Sequence, residues 1–472
     1  MSLISPEFAA FVAVSALLFQ ASSTRMRPAV LALISLVFCA LNGPGAALAL
    51  LLLTAGSYWL ALRIESAAGE GLRRTLLAAG LALLLAHLLL IKLLPHFGGG
   101  GRAAAVLAAF GASYYTFKLM GYLLDVYWHR YGAWRQAAQF AAFVCFFPLL
   151  PAGPIQRAGE FVFEADGGRK AALMVYGLRR ILLGLVKKLA IADPLGGIVE
   201  YIAQGQPGHA DLLWLMTYLF PLQLYVDFSA LTDIGVGTSA IFGVRAPENF
   251  ALPFFAASIS EFWRRWHMSL TRWLGDYVFT PLRMATRRLG NLGLALSIIV
   301  NMVLIGMWHA ISYGWLLFGL INALFLIIDA LTVRHRQRLY KRRRWVARLA
   351  AVAGPVLVYH MIALSLVCFR AQTLPDIAYY FGHLLQGSPR AALAGLFYSY
   401  GRGRCAYAFA ALCGFALLEC GLYARQRGWR PLARWPGFTQ WPRAARWSVY
   451  YLALLAAGLA GQQASRFIYV QF

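Results

Sequence analysis

Gly306-Met307-Trp308-His309-Ala310 is the stretch on which the reading of this chain turns. It lies inside an apolar run, residues 292–320, long enough to cross a bilayer, for which about 20 residues suffice. An ionisable side chain at that depth is costly and usually lines a cavity or a pathway. The helical pattern over residues 294–308 is interrupted in polarity only by Ser297 and Asn301. Asn301 stands two turns before His309, roughly 12 Å along the axis, so the two do not touch. Gly306, one turn back, leaves room beside the imidazole for a ligand or for another helix. A neutral imidazole is a competent general base near pH 7. A histidine that only bonds one helix to another fits the same pattern.

Working outward, apolar stretches of spanning length recur from end to end. The chain has 472 residues, 60% of them hydrophobic and 13% charged. Soluble domains are nearer half apolar and a quarter charged. About ten to thirteen spans or re-entrant pieces are expected, with that length as the ruler. The fold class is therefore all-α and polytopic, since a membrane β-barrel shows alternating segments of about ten residues instead. Residues 8–20 follow Glu7 rather than a basic stretch, so they read as a membrane segment and not as a cleaved signal. The net charge of +25 would suggest nucleic acid in a soluble protein. Here the basic residues lie between apolar runs, so a lipid bilayer is the expected partner and nucleic acid is not. The densest cluster, Arg334-His335-Arg336-Gln337-Arg338 with Lys341-Arg342-Arg343-Arg344, reads as a cytoplasmic loop attracted to anionic headgroups. The six cysteines (39, 145, 368, 405, 413 and 420) lie mostly in apolar stretches without a CxxC pair. They read as buried structural thiols, with no metal site expected.

Several apolar runs fill the first part, up to Pro95, and Gly98-Gly99-Gly100-Gly101 reads as a flexible loop. In Phe146-Phe147-Pro148-Leu149-Leu150-Pro151-Ala152-Gly153-Pro154-Ile155-Gln156-Arg157, three prolines and a glycine fall within seven residues. That cannot be a continuous helix. Such backbone sits at membrane depth only where protein covers it or it lines a wet cavity. An ordinary interfacial loop is the alternative. Arg179, Arg180, Lys187 and Lys188 decorate a helix that runs on to Asp193-Pro194. Further on, Gln223-Leu224-Tyr225-Val226-Asp227-Phe228-Ser229-Ala230-Leu231-Thr232-Asp233 sets two acids in an apolar region. Buried carboxylates must be paired, hydrogen-bonded or protonated, and one of them can simply cap a helix. With no repeat and no long linker, residues 1–472 read as a single integral-membrane domain.

A second histidine lies in Phe262-Trp263-Arg264-Arg265-Trp266-His267-Met268-Ser269-Leu270. Ser258-Ile259-Ser260-Glu261 fits a capping box, with Ser258 as N-cap and Glu261 reaching back. A helix starting there puts Trp263, His267, Leu270 and Leu274 on one face and Arg264, Met268 and Arg272 on another. It is too basic to cross the bilayer comfortably, so it should lie in the interface or dip in and return. A core histidine bonded to a backbone carbonyl is the plain reading of His267.

These strings resemble the membrane-bound O-acyltransferase family, in particular its bacterial branch of alginate O-acetylation and teichoic acid D-alanylation proteins. Four stretches carry the likeness: Pro151 with the residues to Arg157, Gln223 with those to Asp233, Pro247-Glu248-Asn249-Phe250 on through Asp276-Tyr277, and Asn301 on to Gly319. The ending Phe467-Ile468-Tyr469-Val470-Gln471-Phe472 also looks like the family's, and the likeness covers residues 110–472. The resemblance implies many helices around a central tunnel in a bacterial plasma membrane. It implies that His309 is the principal catalytic residue and His267 the second. Asp227, Asp233, Trp308, Trp266 and Asn301 are then candidates for shaping the substrate cavity. No bound cofactor or metal is implied. The donor would be a cytoplasmic acyl thioester, on coenzyme A or an acyl carrier protein. The acceptor would be a hydroxyl of a cell-envelope glycopolymer, reached directly or through an extracytoplasmic transferase-like or esterase-like partner. Acetyl is the expected group, with D-alanyl the alternative. Ala310 and Ala230 stand where relatives commonly have glycine, and Pro281-Leu282-Arg283-Met284-Ala285 replaces a glycine-rich turn. A lipid-linked sugar transporter is the reading from another class, although no paired broken helices support it.

Overall fold

A computed structural model describes residues 1–93, 111–164, 167–204, 209–371, 373–386, 388–428, 438–460, 465 and 467–468. The Gly98-Gly101 loop and the last four residues of the chain lie outside them. The described helices, in chain order, are α1 (Pro6–Ala21), α2 (Arg27–Asn42), α3 (Pro44–Ser66), α4 (Glu70–Leu93), α5 (Ala112–Tyr127), α6 (Ala137–Cys145), α7 (Gly167–Val186), α8 (Asp193–Ala203) and α9 (Leu213–Ile241). Then come α10 (Ile259–Trp263), α11 (Met268–Leu274), α12 (Thr280–Ala285), α13 (Gly290–His309), α14 (Tyr313–Arg342), α15 (Arg344–Arg370), α16 (Leu374–His383), α17 (Pro389–Leu396), α18 (Arg402–Gln426) and α19 (Arg443–Ala460). Among the described residues, extended pairing is confined to one isolated bridge, Phe163 with Val244.

The chain is an all-α, multi-pass integral membrane protein. Among the described residues, six helical stretches are long and apolar enough to cross a membrane: Pro44–Ser66, Glu70–Leu93, Arg287–His309, Tyr313–Arg342, Arg344–Arg370 and Arg390–Gln426. Pro6–Ala21, Arg27–Asn42 and Ala137–Leu149 are apolar but shorter. The apolar runs expected to give about ten to thirteen spans thus include helices that fall short of that length. The basic cluster at residues 334–344 is helical rather than a loop. α14 continues through Arg342, Arg343 alone breaks it, and α15 starts at Arg344. Lysine and arginine are good helix formers, and their charge complements the carbonyl end of α14.

Two compact units divide the chain, Met1–Ile181 with Leu231–Glu248, and Leu182–Ala230 with Asn249–Phe472. Two of the boundaries fall inside α7 and α9 rather than in linkers, so no composition shift marks them. In the first unit the Pro-Gly segment is buried irregular backbone, including a 3-10 turn at Phe147–Leu149. Protein therefore covers it, which decides against an open interfacial loop. Gln156, fully buried, donates to the Glu160 carbonyl (3.1 Å) and the Arg245 carbonyl (3.0 Å). Cys39, Cys145, Cys368 and Cys405 are buried as expected, whereas Cys413 and Cys420 lie on an exposed face of α18.

In the second unit, α7 does not stop at Asp193-Pro194. It passes through a π-helical turn, Lys187–Ala192, into α8. Pro194, which has no N–H to donate, falls directly after the π turn, where the regular hydrogen-bond ladder is already displaced. α13, α14 and α15 pack in sequence. An added Cβ at Gly306 would overlap the Trp315 carbonyl oxygen, and one at Gly319 would meet the Met302 carbonyl. The space beside His309 that Gly306 leaves is therefore taken by another helix.

Candidate functional site

His309 is the last residue of α13, and extended Ala310 ends the helix. Ser312 restarts the chain as N-cap of α14, its side chain accepting from Trp315 N (3.4 Å). This short connection, with the close approach at Gly306, lays the Trp315 ring over the imidazole. The two stack with centroids 4.6 Å apart and planes 16° from parallel. Phe369 of α15 backs Trp315 at 3.9 Å and lies 6.2 Å from His309. His309 itself is half-buried.

His267 is held differently. The helix expected to run from Ser258 through Leu274 is broken, so His267 does not share a helical face with Trp263 and Leu270. Ser258 does cap α10, accepting from Glu261 N at 3.2 Å, but the Glu261 carboxylate reaches Ala257 N (2.9 Å) rather than the N-cap nitrogen. α10 stops at Trp263, and His267 adopts left-handed backbone (φ 42°, ψ 52°) before α11. For a residue other than glycine that conformation costs about 1–3 kcal/mol, and it persists only when the surroundings impose it.

Asn249 imposes it. Its carbonyl accepts from Met268 N (2.9 Å), and its Oδ1 accepts from Ser269 N (3.3 Å) and Ser269 Oγ (2.6 Å). Ala251 N also donates to the Arg265 carbonyl (3.0 Å). Asn249 is fully buried, so these bonds do not compete with water. Asn249 stands in the string Pro247-Glu248-Asn249-Phe250, where nothing in the sequence marks this role. A buried asparagine that replaces helix hydrogen bonds twenty residues away leaves no periodic signal.

The break aims His267 into the protein, where it is 2% exposed. Its ring meets Phe228 edge-on at 4.9 Å and Trp308 at 5.9 Å. Trp308 in turn packs on His309 at 4.6 Å. Both histidines line one narrow cavity of about 30 Å³, walled by Trp263, Trp266, Trp315 and Phe369 with aliphatic side chains of Leu224 and Ile305. The imidazoles are the ionisable groups among its lining residues. Such a site holds a few small polar atoms in dry, aromatic surroundings, where hydrogen bonds are stronger than in water. Trp263 Nε1 is buried there without an acceptor among the described residues.

Of the other candidates, Trp266 lines the cavity and Trp308 bridges the two imidazoles from behind. Asn301 is half-buried on α13 and lines nothing there. Asp227 and Asp233 serve elsewhere. Asp227, 1% exposed, pairs with Lys188 (2.8 Å) and accepts from Ile468 N (2.9 Å). Lys188 also pairs with Asp193 (2.8 Å), and Ser465 Oγ donates to Asp193 (2.7 Å). The described piece of the C-terminal segment is thereby tied to α8 and α9. Lys188 sits in the π turn and is 0% exposed; the sequence showed it only as one cation of four on a helix. Asp233 belongs to the first unit, where Arg180 bridges it (2.5 Å) and Glu248 (2.8 Å). Both acids thus obey the rule that buried charge is paired. Tyr225, whose ring packs 6.1 Å from Trp266, donates to buried Glu419 of α18 at 2.5 Å.

A second, wider cleft shares α10 with the histidine cavity. Ser260 and Glu261 line it together with Arg264, Arg336 and Tyr340, and its volume is about 580 Å³. Asp329 accepts from Ser260 N (3.1 Å) and pairs with Arg336, which anchors the start of α10 to α14.

The sequence model of the membrane-bound O-acyltransferase family matches residues 135–371, which contain both histidines and the whole cavity. Curated relatives agree. A protein named "Probable alginate O-acetylase" from Pseudomonas aeruginosa is 32% identical over 275 residues, 57% of this chain and 50% of that one. The teichoic acid D-alanyltransferase of Streptococcus thermophilus is 27% identical over 54% of this chain and 64% of its own. The peptidoglycan O-acetyltransferase of Helicobacter pylori is 29% identical over 50% and 44%. The chain thus spans about half the length of the alginate relatives it matches. With a matched segment covering half of the sequence and enclosing the site, the chain belongs to the membrane-bound O-acyltransferase family.

Proposed function

We propose that this protein transfers an acetyl group from a cytoplasmic thioester to a hydroxyl acceptor, for O-acylation of a cell-envelope glycopolymer. One observation carries the reading: two histidines from separate segments line a single narrow, aromatic cavity. A hydroxyl is a poor nucleophile until a base removes its proton. His309, half-buried at the end of α13, is that base. The hydroxyl oxygen attacks the thioester carbonyl, the C–O bond forms, the C–S bond breaks, and the thiolate leaves and is protonated. His267, fixed among aromatic rings, donates to the oxygen that gains charge, a role preorganised donors fill well in dry sites.

The donor side is assigned from charge. The cationic turns at residues 334–344 mark that end of α14 and α15 as cytoplasmic by the positive-inside rule. The wider cleft with Arg264 and Arg336 adjoins the same end and shares α10 with the histidine cavity, which suits an anionic donor on coenzyme A or a carrier protein. The protein then resides in a bacterial plasma membrane. An extracytoplasmic transferase-like or esterase-like partner completes delivery to the polymer. D-alanyl transfer is the second reading, favoured by the likeness to the teichoic acid D-alanyltransferase.

Replacement of His309 with alanine tests the assignment in cells that make the modified polymer. Membrane insertion is checked first, then ester-linked acyl groups on the polymer are measured. Loss of acylation with polymer export intact supports the enzyme. Unchanged acylation by a well-inserted variant removes His309 from the chemistry. Mass spectrometry of the released group separates acetyl from D-alanyl.

A further inference from the structure

We propose that the indole N–H of Trp263 is a second hydrogen-bond donor to the thioester carbonyl oxygen, beside His267. The inference rests on the acyl-transfer reading of the histidine cavity and adds a catalytic residue to it. Trp263 is the last residue of α10, and its ring forms part of the cavity wall. It is 6% exposed. Of the three tryptophans in that wall, it alone has a buried Nε1 that meets no acceptor among the described residues. Two rings flank it, Phe262 at 5.7 Å and 85° and Phe318 at 6.3 Å and 68°, and neither offers a lone pair. The rest of α10 is satisfied, so a loose segment does not explain the orphan. Ser260 N donates to Asp329 (3.1 Å) and Glu261 N to Ser258 Oγ (3.2 Å). Ala257 N and Arg265 both donate to the Glu261 carboxylate, at 2.9 and 2.6 Å.

Phenylalanine at this position would bury an aromatic ring without the N–H, and an N–H buried with no acceptor is unfavourable. The indole therefore points to a ligand that supplies the acceptor. Its N–H donates and never accepts, so it matches an oxygen that accepts throughout the reaction. The thioester carbonyl oxygen is such an atom. It gains charge as the hydroxyl oxygen adds to the carbonyl carbon, and loses that charge as the C–S bond breaks. Trp263 gives up no proton in either step. The acceptor hydroxyl is a poorer match, because it donates to His309 and needs its lone pair for attack. Acetyl and D-alanyl thioesters carry the same carbonyl oxygen, so Trp263 serves either.

The test reads the rate at which ester-linked acyl groups appear on the polymer in cells, per amount of inserted protein. Trp263 is replaced by benzothienylalanine, which keeps the bicyclic ring and puts sulfur where the N–H was. The rate should fall about ten- to hundredfold, as for a neutral donor lost from a charged acceptor. The Tm of the purified full chain should not fall, because no bond within the fold is lost. Trp263→Phe should show a similar loss of rate and serves if the isostere is not inserted. The same isostere at Trp59, exposed on α3, should leave the rate unchanged. His309→Ala is run in parallel. If it lowers acylation while the isostere at Trp263 keeps the full rate, the proposal falls and the reading of the cavity stands. Acylation that survives His309→Ala removes that reading and the proposal with it. A rate that falls together with Tm shows that the N–H bonds within the fold, which also overturns the proposal.

Discussion

His309 and His267 line the same cavity, yet the chain holds them by opposite means. His309 closes a regular 20-residue helix and takes its orientation from a ring stacked on it, Trp315. His267 sits in a break between two short helices, in left-handed backbone that Asn249 imposes from a distant segment. One imidazole is half-buried, the other almost fully enclosed. The difference suits different work. A base must meet an incoming hydroxyl and shed its proton, so it benefits from access. A group that donates to developing charge benefits from being fixed and dry.

The largest effect should come from His309→Ala. Loss of a general base lowers the acylation rate by about 10²–10⁴-fold, measured as turnover in membranes with protein level held constant. His309→Gln should be no better, because an amide cannot take the proton. His267→Ala comes next, at about 10²–10³-fold for a lost donor in a dry site. His267→Gln keeps an N–H and should recover part of that loss. Equal behaviour of the two glutamine variants would erase the distinction drawn between the histidines.

Asn249→Leu attacks the means by which His267 is held. It removes the acceptor of Ser269 N and Oγ, which costs about 1–3 kcal/mol. Turnover should fall with little change in KM, and Asn249→Asp, which keeps the acceptor, should restore it. A KM effect alone would mean that Asn249 does not act through His267. The smallest effect belongs to Trp315→Leu. A lost ring contact is worth about 0.5–1.5 kcal/mol, so turnover should drop by tenfold at most. A larger drop would show that Trp315 does more than orient His309.

How far each histidine was legible follows from the same contrast. His309 was conspicuous because an ionisable residue in a long apolar run is an exception to a strong rule, and the run itself required a helix. His267 was visible as a residue but not as a geometry. A capping box and a 3.6-residue period predicted one helix through residues 258–274, and both cues are local. The break arises from hydrogen bonds to Asn249, which no window along the chain contains. Asp227 and Asp233 show the same limit. Their apolar setting required partners, but Lys188 and Arg180 looked like surface cations until the fold buried one and bridged two acids with the other.

The sequence by itself determined that this is an all-α membrane protein and which two histidines merit attention. Hydropathy and the cost of burying charge act residue by residue, so they can be read without a fold. Only the tertiary structure decided that the histidines share a cavity while the two aspartates serve ion pairs. It likewise decided that the basic turns are helical and that the Pro-Gly segment is enclosed. Each of these depends on which distant group meets a given atom, and that follows from packing rather than from order along the chain.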